Sequence, residues 1–163
     1  MRLILIAAVA RDGVIGTKDG ISWHYPADLA HFKRTTETNT VIIGRKSYEN
    51  ILRELGEPFP NRSTIVLTSA PESVNTDFDR VYAATSTESA LTVAEQLNED
   101  TYIAGGESVY RQFRSIATEA ILTRIPESPV GNAVFPDLGA EWECVDVDRG
   151  EEITIETHRR IQS

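Results

Sequence analysis

Apolar residues occur along this chain in short unbroken runs, separated by stretches of helical spacing. "RLILIAAVA" (residues 2–10) lacks polar alternation, as expected of a strand covered on both faces, and "TVIIG", "STIVLTS" and "TYIAGG" repeat the pattern. Between them, Pro26 suits the first position of a helix over about residues 26 to 36. "RKSYENILREL" then places Tyr48, Ile51, Leu52 and Leu55 on one helical face. A weaker strand near "RVYAA" precedes the helix "TESALTVAEQLNE", whose Ser/Thr-rich start offers N-caps. Paired glycines open a helix at "ESVYRQFRS", and "EAILTRI" is a further strand. "WECVDVD" and "ITIETHRRIQ" alternate apolar and polar residues, which predicts an antiparallel hairpin turning near Arg149-Gly150. "RDGVIGTKDGIS" reads as a long loop and "GEPFPNRS" as a turn region. Alternating strands and helices closed by a hairpin predict an α/β fold. The expected form is one α/β/α sandwich over residues 1–163, with a mostly parallel central sheet and an antiparallel C-terminal hairpin.

Composition narrows the function classes. With 163 residues, 40% of them hydrophobic, the chain can build one domain with a substantial core. The first apolar run is too short to span a bilayer and no charged-then-apolar leader precedes it, so a soluble cytoplasmic protein is expected. Cys144 is alone and cannot form an intrachain disulfide; His24 and His31 lack the companions of a metal site, so no metal is expected. A net charge of −9 argues against nucleic acid or anionic membrane as partners. Residues 1–62 nevertheless carry nine Lys/Arg against seven Asp/Glu, which suits an anionic small molecule; drift in composition would look the same. Three lysines stand against thirteen arginines, and this low-lysine acidic balance resembles proteins of salt-adapted cells.

The common nucleotide loops G-x-G-x-x-G and G-x-x-x-x-G-K-[ST] are missing, as is the hydrolase G-x-S-x-G. Two strand-to-helix junctions remain, "VIIGRKS" and "YIAGGES", where free backbone N–H groups and glycines can receive an anion or simply make tight turns. Asp28 lies in the first turn after Pro26, beside Leu29 and one turn before Phe32. The helix dipole alone accounts for an acid there, while burial among apolar neighbours would raise its pKa and suit it to proton transfer.

In order, "LIAAVARDGVIG", "WHYPADLAHFKR", "VIIGRKSYE", "PFPNRSTIVLTS", "YIAGGESVYRQF", "ILTRI" and "VFPD" resemble the dihydrofolate reductase family. The resemblance implies reduction of 7,8-dihydrofolate to tetrahydrofolate by hydride transfer from NADPH, in support of one-carbon metabolism, by a monomer. Carried onto this chain, Asp28 is the acid that hydrogen-bonds the pterin and assists its protonation. Trp23 and Thr123 complete the catalytic set, with Thr123 bonding that carboxylate. Ile6, Ala8, Leu29 and Phe32 would wall the pterin, Ile51 and Phe59 the benzoyl group. Arg62, and more weakly Lys33, would meet the glutamate tail. For the cofactor, Ala8, Ile15 and Gly16 would face the nicotinamide. Gly44, Arg45, Lys46 and Ser47, with Thr68 and Ser69, would hold the pyrophosphate and 2′-phosphate. Gly105, Gly106, Glu107, Ser108, Val109 and Tyr110 would cradle the other side, with a cis peptide between the glycines.

The chain departs from the family pattern at several places. Ile21 and Ser22 stand where Met-Pro or Leu-Pro is usual before Trp23, in a loop expected to act as a lid. Glu107 replaces a third glycine, "NILRELGEP" is longer than in compact relatives, and Asn61 replaces a glycine before Arg62. Two other readings share part of this pattern: a same-fold pyrimidine reductase of riboflavin synthesis, and a non-catalytic NADPH or folate binding module.

Overall fold

A computed structural model describes residues 1–16, 25–128 and 131–161. The elements run β1 (Leu3–Ala10), β2 (Val14–Gly16), α1 (Pro26–Thr36), β3 (Thr40–Gly44), α2 (Arg45–Leu55), β4 (Ser63–Leu67) and β5 (Val81–Ala84). They continue with α3 (Thr87–Leu97), β6 (Thr101–Ile103), α4 (Glu107–Phe113), β7 (Glu119–Ile125), β8 (Ala133–Val134), β9 (Trp142–Arg149) and β10 (Thr154–Arg160). Eight strands form one sheet in the order β5-β4-β3-β6-β1-β7-β10-β9. Neighbours from β5 to β7 are parallel, and β10 pairs antiparallel with both β7 and β9.

The apolar runs are buried strands because the sheet is covered on two faces. Along β1, Leu3, Leu5, Ala7 and Val9 join the cluster that includes Ala90, Ala94, Val109 and Phe113 of α3 and α4. Ile4 and Ile6 point the other way, toward Phe32 of α1. In β3, Ile42 belongs to the first layer, while Val41 and Ile43 pack with Tyr48, Ile51 and Leu52 of α2. The two-residue period of a strand thus distributes one apolar run between two helical layers.

Local signals set the ends of the helices. Ser86 caps α3 in a reciprocal box with Ser89, and α2 stops at Gly56, which adopts the left-handed φ of 77°. Asn61 is also left-handed, at φ 62°, as its substitution for glycine before Arg62 predicts. Leu55, placed on the apolar face of α2 by its spacing, is 55% exposed; it is the last residue of the helix and lies past the edge of the core.

The segment read as a long loop contains β2, which pairs with β8 in a separate two-stranded ribbon. Strands of three and two residues are too short to show periodicity, so tertiary pairing alone defines them. Among the described residues, no helix is long and apolar enough to cross a membrane.

Candidate active site

The carboxyl ends of β3, β4 and β6 open onto one side of the sheet. Because β6 inserts between β3 and β1, the helices that follow these strands diverge and leave a crevice there. It forms a cleft of about 1380 Å³, walled by β1, α1, α2, the start of α4 and the β2–β8 ribbon.

At one end, α1 brings Asp28, Leu29, His31 and Phe32 to the cleft opposite Ile6, and Thr123 of β7 comes from across the sheet. β7 reaches that point by pairing Thr123 with Ala8 in the parallel β1–β7 ladder. Asp28 is half-buried, and burial raises its carboxyl above the ordinary value of 3.8; a hydrogen-bonding interaction with Thr123 and the charge on His31 pull it back. His31 moves the other way, lowered chiefly by burial, and its Nε2 is buried with no partner among the described residues. Phe32 and Phe59 pack with their rings tilted at 51°, 5.2 Å between ring centres, and Ile51 adds an aliphatic wall. Leu29 is 55% exposed because it faces the open cleft.

The other end is built for an anion. α2 begins at Gly44 without a side-chain cap and has no acid in its first turn, so its leading backbone N–H groups are open. Arg45, Lys46 and Ser47 occupy that turn, and Thr68 and Ser69 follow β4 alongside. Arg45 pairs at 2.8 Å with Glu49, an exposed partner that a phosphate can displace. A Cβ on Gly44 would lie 3.2 Å from Val109 Cγ2, a tight contact to which the valine would have to yield, and Gly105 holds a φ of 112° beside the Tyr110 ring. The Gly105–Gly106 peptide is cis, as the resemblance implied. This donor set, with glycines that let a ligand reach the backbone, fits the diphosphate and 2′-phosphate of NADPH.

Most residues named from the sequence line this cleft together: Ile6, Ala8, Ile15, Asp28, Leu29, Phe32, Ile51, Phe59 and Thr123, then the 44–47, 68–69 and 105–110 groups. Trp23, Ile21 and Ser22 lie outside the described residues. Gly16 ends β2, and Lys33 points to solvent from the last turn of α1. Arg62 stands behind Phe59, its guanidinium 5.0 Å from the ring centre. It is only 6% exposed, donates from Nε to the Pro60 carbonyl at 3.1 Å, and burial lowers its pKa. Among the described residues no carboxylate lies within ion-pair distance of it.

Sequence reasoning weighed His31 only as a metal ligand and passed over Thr85, Asn132 and Ala133, all of which line the cleft. Position 31 had a legible signal, since it lies three residues after Asp28 on the same helical face. Asn132 and Ala133 had none, because the β2–β8 pairing brings them in.

The dihydrofolate reductase family model matches residues 2–160. The chain belongs to the dihydrofolate reductase family. It is 36% identical to the dihydrofolate reductase HdrB of Haloferax volcanii, covering 99% of this chain and 85% of that one. With the enzyme of Bacillus subtilis it shares 32% identity over 89% of this chain and 82% of the relative. Among solved structures it is similar to dihydrofolate reductase from Enterococcus faecalis complexed with NADP(H) and RAB-propyl. That likeness has a TM-score of 0.83 and 32% identity, over 99% of this chain and 97% of the other.

Proposed function

We propose that this chain reduces 7,8-dihydrofolate to 5,6,7,8-tetrahydrofolate with NADPH, as a dihydrofolate reductase. One juxtaposition carries the reading: a half-buried carboxyl with a raised pKa shares a continuous cleft with an uncapped, cation-flanked helix start. NADPH, when bound, supplies a hydride to pterin C6, leaving NADP⁺, and a solvent-derived proton at N5 completes the balance.

The chain's residues do the remaining work. Asp28 holds the pterin ring by hydrogen bonds and, with its pKa raised, assists delivery of the proton to N5. Thr123 orients that carboxyl, and Trp23 completes the same group. Ile6, Ala8, Leu29 and Phe32 enclose the pterin and exclude water around it; Ile51 and Phe59 enclose the benzoyl ring. Arg62 supplies a planar fork for the glutamate α-carboxylate, and Lys33 adds charge toward the tail. A buried guanidinium without an ion-pair partner among the described residues is costly to keep, and an anionic ligand offsets that cost.

At the cofactor end, the α2 N-terminus with Arg45, Lys46 and Ser47 holds phosphate, joined by Thr68 and Ser69. This cationic set suits a 2′-phosphate, where a ribose hydroxyl would be met by an acid. Ala8, Ile15 and Gly16 border the nicotinamide, and the segment from Gly105 to Tyr110 flanks the cofactor chiefly through its backbone. We read the protein as a cytoplasmic monomer of one domain over residues 1–163, and its net charge of −9 weighs against nucleic acid and anionic membrane as partners. The low-lysine acidic surface supports adaptation to salt.

The deciding assay is NADPH oxidation with dihydrofolate over a range of KCl, with and without methotrexate. Dihydrofolate-dependent oxidation blocked by methotrexate is expected; no such oxidation at any KCl concentration would refute the reading.

A further inference from the structure

The β2–β8 ribbon is too small to hold itself in place: β8 has two residues, and its register with β2 shifts between Val14 and Gly16. Yet Ile15 and Ala133 of this ribbon line the cleft, so its position sets the shape of the site. Its anchor is α4. The Val134 N–H donates to Glu107 Oε1 at 2.8 Å, while Arg111 donates to Glu107 Oε2 at 3.1 and 2.9 Å. A second tether lies beside it. The Phe135 N–H donates to the Gly13 carbonyl at 2.9 Å, and the Phe135 ring packs edge-on against Tyr110 at 5.0 Å. Tyr110 in turn donates its hydroxyl to the Ile6 carbonyl of β1 at 2.7 Å. The ribbon is thus tied through α4 to the central sheet.

Glu107 occupies the place where the family pattern has a third glycine, and a carboxylate beside an anion-binding cleft is electrostatically unfavourable. Its contacts explain its presence. The Val134 N–H, then Arg111, hold the carboxyl below its ordinary range against the smaller opposing effect of burial, so the bond to Val134 is charge-assisted.

We propose that Glu107 is a positioning residue, which latches the β2–β8 ribbon to α4 and so fixes Ile15 and Ala133 against the bound cofactor. This rests on the reductase reading of the cleft. Glu107→Ala should raise KM for NADPH roughly ten-fold, on the order of one charge-assisted hydrogen bond, with a smaller change in kcat and in KM for dihydrofolate. The same variant, without ligand, should show faster amide exchange at Val134 and Phe135, with β1 amides such as Leu5 unchanged. Glu107→Gln, which keeps an oxygen for Val134, should stay within about three-fold of the parent KM.

Unchanged exchange at Val134 in Glu107→Ala would overturn the latch, as would an unchanged KM for NADPH. Loss of protection extending into β1 would do the same, since the effect would then be global. A glutamine variant as impaired as the alanine one would refute the acceptor role. Exchange reads the latch without ligand and NADPH binding to the parent protein reads the function, so failure of either is seen separately.

Discussion

In Asp28→Asn the carboxyl becomes an amide of nearly the same shape, so packing in the cleft is kept while the titrating proton is lost. A positioned general acid contributes about 10²–10⁴ in rate, and kcat at neutral pH should fall by that factor, about 3–5 kcal/mol of barrier. Stability should move in the opposite direction. Burial is the largest influence on Asp28 and outweighs Thr123 and His31, so the folded pKa lies above the unfolded value of 3.8. Between those two values the folded state binds more protons than the unfolded one. Wild-type stability therefore falls as pH rises through that window, and the loss persists at neutral pH. Asparagine carries no such loss. The ligand-free variant should be the more stable protein at neutral pH, and the difference should vanish below 3.8, where both wild-type states are protonated. Urea denaturation across pH, paired with steady-state rates, reads both arms. A near-normal kcat would refute the acid's role, and a variant less stable than wild type at neutral pH would refute burial as the dominant influence.

Arg62→Ala should weaken dihydrofolate binding about 10–100-fold, the loss of charge-assisted hydrogen bonds to the tail, while sparing a pterin without a glutamate; equal losses in a binding titration would place the tail elsewhere. Tyr110→Phe removes a buried donor to the Ile6 carbonyl and should lower unfolding free energy by about 1–3 kcal/mol, measurable as a drop in Tm. The melting temperature should rise with KCl up to about 1 M, because screening shortens the range of acidic self-repulsion to roughly 3 Å. A Tm that stays flat or falls over that range would remove salt adaptation from the account.

Element identity was legible wherever local chemistry sufficed. Unbroken apolar runs marked β1, β3, β4 and β6, Pro26 opened α1, and the Ser/Thr-rich start of α3 contained its cap. These depend on neighbours a few residues apart, where backbone sterics and side-chain period act. The motif order around Asp28 and Gly44–Ser47 identified the two ends of the cleft for the same reason. The insertion of β6 between β3 and β1, by contrast, depends on pairing between strands about sixty to a hundred residues apart in the chain. That insertion opens the cleft. Asp28 and Thr123 are likewise far apart in sequence and meet through the β1–β7 ladder, and burial of that meeting place is what shifts the acid. Arg62 read as a tail cation, but its place behind Phe59 follows from how the chain folds after α2. The β2–β8 ribbon left no trace in the pattern, because strands so short are defined by their pairing with each other and not by a period of their own residues.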